Sequence, residues 1–192
     1  MVIDVYLAFV EYNTLTQWWA FFDKWKYNFM SVCVLGSINL DIVASVEHLP
    51  LPGETISAHT LEHFPGGKGA NQAVAAARMG ADTLMIGAVG ADDPGEKMRA
   101  YLEESGVDIS VLLTKPSQPT GQAFINVSAS GENAIVIVPG ANAALGVNDI
   151  SYDNLDKHQV FLAQLESPVK SIEALFNSKS AKRGMTILNA AP

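Results

Sequence analysis

From Ser31 onward, short apolar runs alternate with stretches of helical spacing. The runs "SVCVLGSI" (31–38), "DTLMIGAVG" (82–90) and "QVFLAQLE" (159–166) are continuously apolar and carry β-branched residues. That pattern predicts strands buried on both faces, as in a parallel sheet covered by helices. "VDISVLLT" (107–114) reads as a further strand, and "MTILNAAP" (185–192) begins another. Between them, residues 69–79 are rich in Ala and Arg and run into Gly80, which predicts a helix with a left-handed stop. "DPGEKMRAYLEESG" (93–106) opens with a proline and the acidic Glu96 and closes on Gly106, the signature of a second helix. Ser167-Pro168 predicts an N-cap and first-turn proline for a third helix, ending at Lys182, Arg183 and Gly184. Strand–helix–strand alternation of this kind predicts an α/β fold with a mostly parallel sheet.

Two segments break that rhythm. Residues 41–64 are interrupted by Pro50, Pro52 and Gly53 and read as two short, edge-like strands joined by a Pro/Gly turn. In "TGQAFINVSASGENAIVIVPG" (120–140), two β-rich runs flank the turn cluster "SASGEN", which predicts a hairpin. Together they predict a small β element standing off the main sheet.

Composition narrows the function. The chain has 192 residues, enough for one sizeable core, and a net charge of −8, with no long Lys/Arg cluster to offset it. A nucleic-acid partner is disfavoured and a small molecule fits better. The single cysteine, Cys33, lies in an apolar run, so the chain has no internal disulfide and reads as a cytoplasmic protein with an inert core thiol. His59 and His63 lie four apart, but with no partner ligands they do not read as a metal site.

Residues 1–29 stand apart. They hold all three tryptophans and ten of the sixteen aromatic residues, with no glycine or proline. Early acidic residues and the lack of a clean apolar stretch argue against a secretory signal, and no uncharged run is long enough for a spanning helix. Trp18, Trp19, Phe21, Phe22 and Trp25 would suit a membrane surface, but the simpler expectation is an appended extension, with Met30 as the natural start. The expected organisation is thus a non-family segment, 1–29, and a domain from residue 30 to 192.

The stretch "HFPGGKGANQAVAAARMG" (63–80) has the look of a phosphate loop. A P-loop, however, needs a glycine five residues before the Gly-Lys and a Ser or Thr after the lysine; Glu62 and Gly69 occupy those places. The dinucleotide fingerprint fails as well, because Ala70, Asn71 and Gln72 follow with no third glycine. Gly66 and Gly67 still allow close backbone approach to a ligand, the helix start offers free N–H groups, and Lys68 and Asn71 add polar side chains. Taken alone, such a loop suits a polyhydroxylated ligand as well as a phosphate, and a ligand-free tight turn fits it equally well. Asn39 and Asp41, expected at the end of the first buried strand, tip the balance, because open α/β sheets bind ligands there and a carboxylate matches a sugar diol. Glu166 ends another buried run; its alternative role is a carboxylate at a helix start.

The motifs "GSINLD" (36–41), "PGET" (52–55), "GGKGANQAVAAARMGA" (66–81), "VGADDPGE" (89–96), "TG" (120–121), "GENAIVIVPGANAAL" (131–145), "LESP" (165–168) and "LNAAP" (188–192) follow in this order. From Ser31 to Pro192 the sequence resembles the N-terminal part of the ribokinase/phosphofructokinase-B family of sugar kinases, nearest to its ribose-specific branch. The resemblance implies transfer of the γ-phosphoryl group of ATP to a sugar's primary hydroxyl, giving ribose 5-phosphate for ribose, with Mg2+ and a monovalent cation (K+) as cofactors. It implies a sheet sandwiched by helices, a β lid formed by 41–64 and 120–138, and a homodimer clasped through that lid. It also implies sugar contacts from Asn39, Asp41, Gly67, Lys68, Asn71 and Glu166.

The family's second signature, a Gly-Ala-Gly-Asp-type motif with the catalytic aspartate and amides that steady the transferring charge, does not occur in these 192 residues. "GADD" (90–93) follows the second buried strand and has no catalytic role in the family pattern. The expectation is a sugar-binding half, truncated after about half of the family domain and inactive by itself. The alternatives are an inactive sugar-binding module, or a sibling kinase for fructose, a nucleoside or a keto-deoxy sugar acid.

Overall fold

The computed structural model describes residues 30–153 and 155–191. The readings made for residues 1–29 lie outside the described residues. The strands, in chain order, are β1 (Ser31–Leu35), β2 (Asn39–Val46), β3 (Thr60–Gly66), β4 (Asp82–Ile86), β5 (Ala88–Val89) and β6 (Val107–Asp108). They continue with β7 (Leu113–Thr114), β8 (Gly121–Ser128), β9 (Asn133–Val138), β10 (Val160–Gln164) and β11 (Met185–Asn189). Three α-helices accompany them among the described residues: α1 (Lys68–Arg78), α2 (Asp93–Glu104) and α3 (Val169–Phe176).

The main sheet runs β11–β10–β1–β4–β6, with every pair parallel. Side-chain alternation along β1 supplies both of its faces. Val32 and Val34 join Met85, Ala70 and Ala73 of α1, and Met98 and Leu102 of α2, in one core. Cys33 and Leu35 join Leu84, Ile86, Phe161, and Ile172 and Leu175 of α3, in the other. This is the helix-covered, mostly parallel α/β sheet that the apolar runs predict. Cys33 is fully buried, and burial pushes its thiol up to about 12, so it stays protonated and unreactive. The edge strand β11 leaves Met185, Ile187 and Leu188 exposed.

Several boundaries differ from the sequence reading. The first run ends as a strand at Leu35, because Gly36 leaves the sheet and packs against the backbone of Gly69 and the side chain of Gln164. Residues 107–114 are two short strands rather than one. Ser110 N–H donates to Asp108 Oδ1 (2.9 Å) and Leu112 N–H to Ile109 O (2.9 Å), so a local Asx turn bends the chain between them. Ser167 does not cap the third helix: Pro168 holds the N-cap position with no side-chain bond, and the buried Ser167 hydroxyl has no partner among the described residues. That helix also stops at Phe176, and Lys182 and Arg183 belong to a separate single turn, Ala181–Arg183.

The two out-of-rhythm segments form a second sheet in the order β3–β2–β8–β9. β3 pairs antiparallel with β2, β2 parallel with β8, and β8 antiparallel with β9 through the turn at Gly131 (φ 85°). β3 is an edge, as expected, but β2 is interior. All six residues of β9, including Ile135, Val136, Ile137 and Val138, are exposed.

Asp92, from the "GADD" stretch, ties helix α2 to the start of β8. Its Oδ1 accepts from Gly95 N–H (3.0 Å) as the N-cap and from Thr120 Oγ1 (2.5 Å), and its Oδ2 accepts from Thr120 N–H (2.9 Å). Burial works against the charge, but these donors outweigh it and hold the carboxyl below its usual range. Asp92→Ala is expected to cost about 2 kcal/mol, because it removes a cap and strands the Thr120 donors. Chemical denaturation checks this; a loss within experimental error would mean that the knot contributes nothing.

Candidate functional site: a polar cleft at the start of helix α1

The site forms where the end of β1 turns into β2 and meets the start of α1. Gly67 precedes α1 with φ 90°, a conformation open to glycine, and a Cβ there would lie 2.7 Å from Ser37 O and 2.8 Å from Asn39 N. Glycine at 67 therefore brings α1 against the β1–β2 turn. Gly66 serves the neighbouring side chain, because a Cβ on it would lie 2.2 Å from Asp41 Oδ2.

Asn39 and Asp41 do not sit at the end of the buried strand, as the sequence reading has it. They open β2, the strand of the second sheet, with Asn39 paired to Gly66 on β3 and to Gly121 on β8. The apolar run continues through Ile38, which is fully buried, so hydrophobicity does not mark where one sheet ends and the other begins.

The N–H groups at the start of α1, expected to be free, are already occupied. Lys68 N–H donates to Glu166 Oε2 (3.2 Å), Gly69 N–H to Ser37 Oγ (3.4 Å) and Ala70 N–H to Ser37 O (2.9 Å). Ser37 Oγ in turn donates to Glu166 Oε2 (2.6 Å), and Lys68 Nζ makes a close ion pair with Glu166 Oε1. Glu166, two residues beyond β10, thus caps a helix from a distant part of the chain, where its charge faces the positive end of the dipole. The helix start is filled by a carboxylate and leaves no cradle for a phosphate group.

These contacts set the charges. Burial alone would raise Glu166, but hydrogen bonds from Lys68 and Ser37, together with the Lys68 charge, outweigh it and hold its carboxyl below the usual range. Asp41 is shifted the other way, first by burial and then by repulsion from Glu166. Two neighbouring carboxylates are therefore tuned apart, with Glu166 anchored as the anion.

An open cleft of about 440 Å³ runs beside this cluster, with Ser37, Asn39, Asn142, Glu166 and Ser167 as its polar lining and Ile137 and Leu165 among its apolar walls. The structure brings together Asn39, Asp41, Gly67, Lys68 and Glu166. Asn71 stands apart, exposed on the first turn of α1, and its side chain makes no hydrogen bond among the described residues. Ser37 and Asn142 were not singled out from sequence. The only signal for Asn142 is a polar residue inside the small-residue run "GANAA", and it is 3% exposed.

Among the described residues, no group of three or more His, Cys, Asp or Glu could hold a metal ion, and no helix is long and apolar enough to cross a membrane.

The sequence pattern of the pfkB family carbohydrate kinases matches residues 30–192. The chain belongs to that family. A bifunctional ribokinase/ribose-5-phosphate isomerase A from Fructilactobacillus sanfranciscensis is 40% identical over 167 residues, covering 84% of this pfkB-family chain and 30% of the relative. A ribokinase from Haemophilus influenzae is 38% identical over 164 residues, covering 84% and 54%. Among solved structures, Arabidopsis thaliana ribokinase complexed with ribose and ATP superposes with a TM-score of 0.68 at 33% identity, covering 83% of this chain and 53% of that one. The pfkB-family chain thus spans about half the length of the Haemophilus relative and less of the bifunctional one. The second sheet, β3–β2–β8–β9, is the small β element that the two out-of-rhythm segments predict.

Proposed function

We propose that this chain is the sugar-binding and lid part, residues 30–192, of a ribokinase-type kinase, whose reaction moves the γ-phosphoryl group of ATP to the 5-hydroxyl of ribose. The observation that carries this reading is the helix start already filled by Glu166, beside Asp41 and Asn39. A phosphate would meet a carboxylate there, whereas neutral hydroxyls can give hydrogen bonds to it and take them from Lys68. Asn39, Asp41, Gly67, Lys68, Asn71 and Glu166 are the proposed sugar contacts. The ligand in the Arabidopsis relative's complex, at 33% identity, supports ribose.

ATP, Mg2+ and K+ belong to the complete kinase reaction in this reading, and the catalytic aspartate is not among the residues of this chain. The exposed apolar residues of β9 support pairing of two lids in a homodimer. The composition supports a cytoplasmic protein with no nucleic-acid partner.

Isothermal titration of the 192-residue chain with ribose is expected to show saturable binding, lost in Glu166→Ala, and the chain is expected to make no ribose 5-phosphate from ATP. Tighter binding of fructose, a nucleoside or a keto-deoxy sugar acid would replace ribose as the ligand. No binding of any of them would overturn the pocket, and ATP-dependent ribose 5-phosphate formation would overturn the assignment of catalysis to residues outside this chain.

A further inference from the structure

Asn142 is buried at the back of the cleft and spends its whole side-chain amide on the β1–β2 turn. Its Oδ1 accepts from Ile38 N–H (2.9 Å), while its Nδ2 donates to Ile38 O (3.1 Å) and to Asn39 Oδ1 (2.8 Å). The first two bonds allow one orientation only, because turning the amide over would set oxygen against carbonyl oxygen and nitrogen against N–H. The remaining Asn142 hydrogen must therefore face Asn39, and whatever atom of Asn39 meets it must be an acceptor.

That requirement fixes Asn39 in turn. With its oxygen engaged by Asn142, its NH2 group carries no protein partner among the described residues, although the side chain is buried and lines the cleft. Gly121 leaves the room for this arrangement, since a Cβ there would lie 2.2 Å from both Asn142 Nδ2 and Asn39 Oδ1.

We propose that Asn142 is a positioning residue that sets the polarity of the sugar pocket: by holding Asn39 Oδ1, it makes Asn39 a donor toward the ligand. Rested on the sugar-binding reading above, this restricts the ligand. The group at Asn39 must accept a hydrogen bond, while groups at Glu166 and Asp41 must donate. A polyol whose hydroxyls do both at once satisfies the set, and an ammonium group in the Asn39 position, which has no acceptor, does not.

Two arms of one experiment separate this proposal from the function it rests on. In the ligand-free 192-residue chain, hydrogen exchange followed by NMR is expected to show the Asn142 side-chain amide protected about tenfold or more over that of Asn39. Equal or reversed protection would overturn the proposal, whether or not sugar binds. In the second arm, ribose affinity is measured for Asn142→Asp, which still accepts from Ile38 N–H but cannot donate to Asn39, and for the same change in an Asn39→Ala background. The single variant is expected to lose about tenfold in affinity, and to lose nothing further when Asn39 is already alanine. Losses that multiply would show that Asn142 does not act through Asn39. Failure of the parent chain to bind ribose, with the exchange pattern intact, would count against the sugar reading alone.

Discussion

Gly69→Ala is expected to destabilise the domain by about 3 kcal/mol, lowering its melting temperature by roughly 6–12 °C, although alanine is the better helix former. Gly69 lies in the first turn of α1, where alanine would gain about 1 kcal/mol of helix propensity. The added Cβ, however, would lie 2.6 Å from Gly36 Cα and C and 2.7 Å from Ser37 N, all of them backbone atoms. No rotamer change relieves such contacts; α1 or the β1–β2 turn must move. Overlap therefore wins over propensity. Because the same turn carries Ser37 and Asn39, the movement is expected to weaken sugar binding as well. Gly131→Ala is the matched control: it is strained by a positive φ but meets no atom within 4 Å, so it is expected to cost about 1 kcal/mol and to leave binding unchanged. Thermal unfolding and ribose titration of both variants check this. Equal stability losses would remove the close approach of α1 and the turn as the reason for glycine at 69.

These two glycines also show what a sequence exposes and what it hides. The left-handed positions at Gly80 and Gly131 and the strands of the main sheet are local features, readable from turn residues and from runs apolar on both faces. The crossing from one sheet to the next at Gly36–Ile38 is not local. Ile38 is as buried as the strand before it, so the apolar signal runs on past the last paired residue. The long helix read from Ser167 to Gly184 failed for a related reason. A serine before a proline carries the composition of a cap, yet its hydroxyl is buried and makes no bond among the described residues, and the basic residues taken for the helix end belong to another turn.

In the site, residue types were readable but their partners were not. Glu166 was legible as a carboxylate after a buried strand, and one of its two readings was a helix-start carboxylate. It does cap a helix, but α1 rather than the helix that follows it, through a contact spanning 98 residues. Asn142 left no trace beyond polarity in a small-residue run, because its worth lies in backbone groups 104 residues away.

Replacing Lys68 with methionine tests the charge arrangement most directly. The variant keeps much of the apolar stem, while Glu166 retains the bonds from Ser37 Oγ and from the backbone N–H of residue 68. It loses the ammonium group, so two partly buried carboxylates, Glu166 and Asp41, are left close together. Breaking a fully buried pair costs about 3–5 kcal/mol, but the Lys68 side chain is 35% exposed and screened by water, so about 2 kcal/mol is expected near pH 7. The dependence on pH is the sharper readout. In the parent, the depressed Glu166 contributes stability above its unfolded value, and that contribution is lost as pH falls through its folded value. The raised Asp41 opposes folding at neutral pH, and that opposition is relieved as pH falls through its raised folded value. Without the Lys68 ammonium, Glu166 loses a hydrogen bond and a charge that help to hold its carboxyl down, so less of its stabilisation is present at neutral pH to be lost in acid. The stability gap between parent and variant is therefore expected to be widest near neutrality and to narrow through the carboxylate range, as denaturant melts across that range would show. A gap that stayed constant with pH would mean that Lys68 acts through packing alone, and that Glu166 does not owe its charge to it.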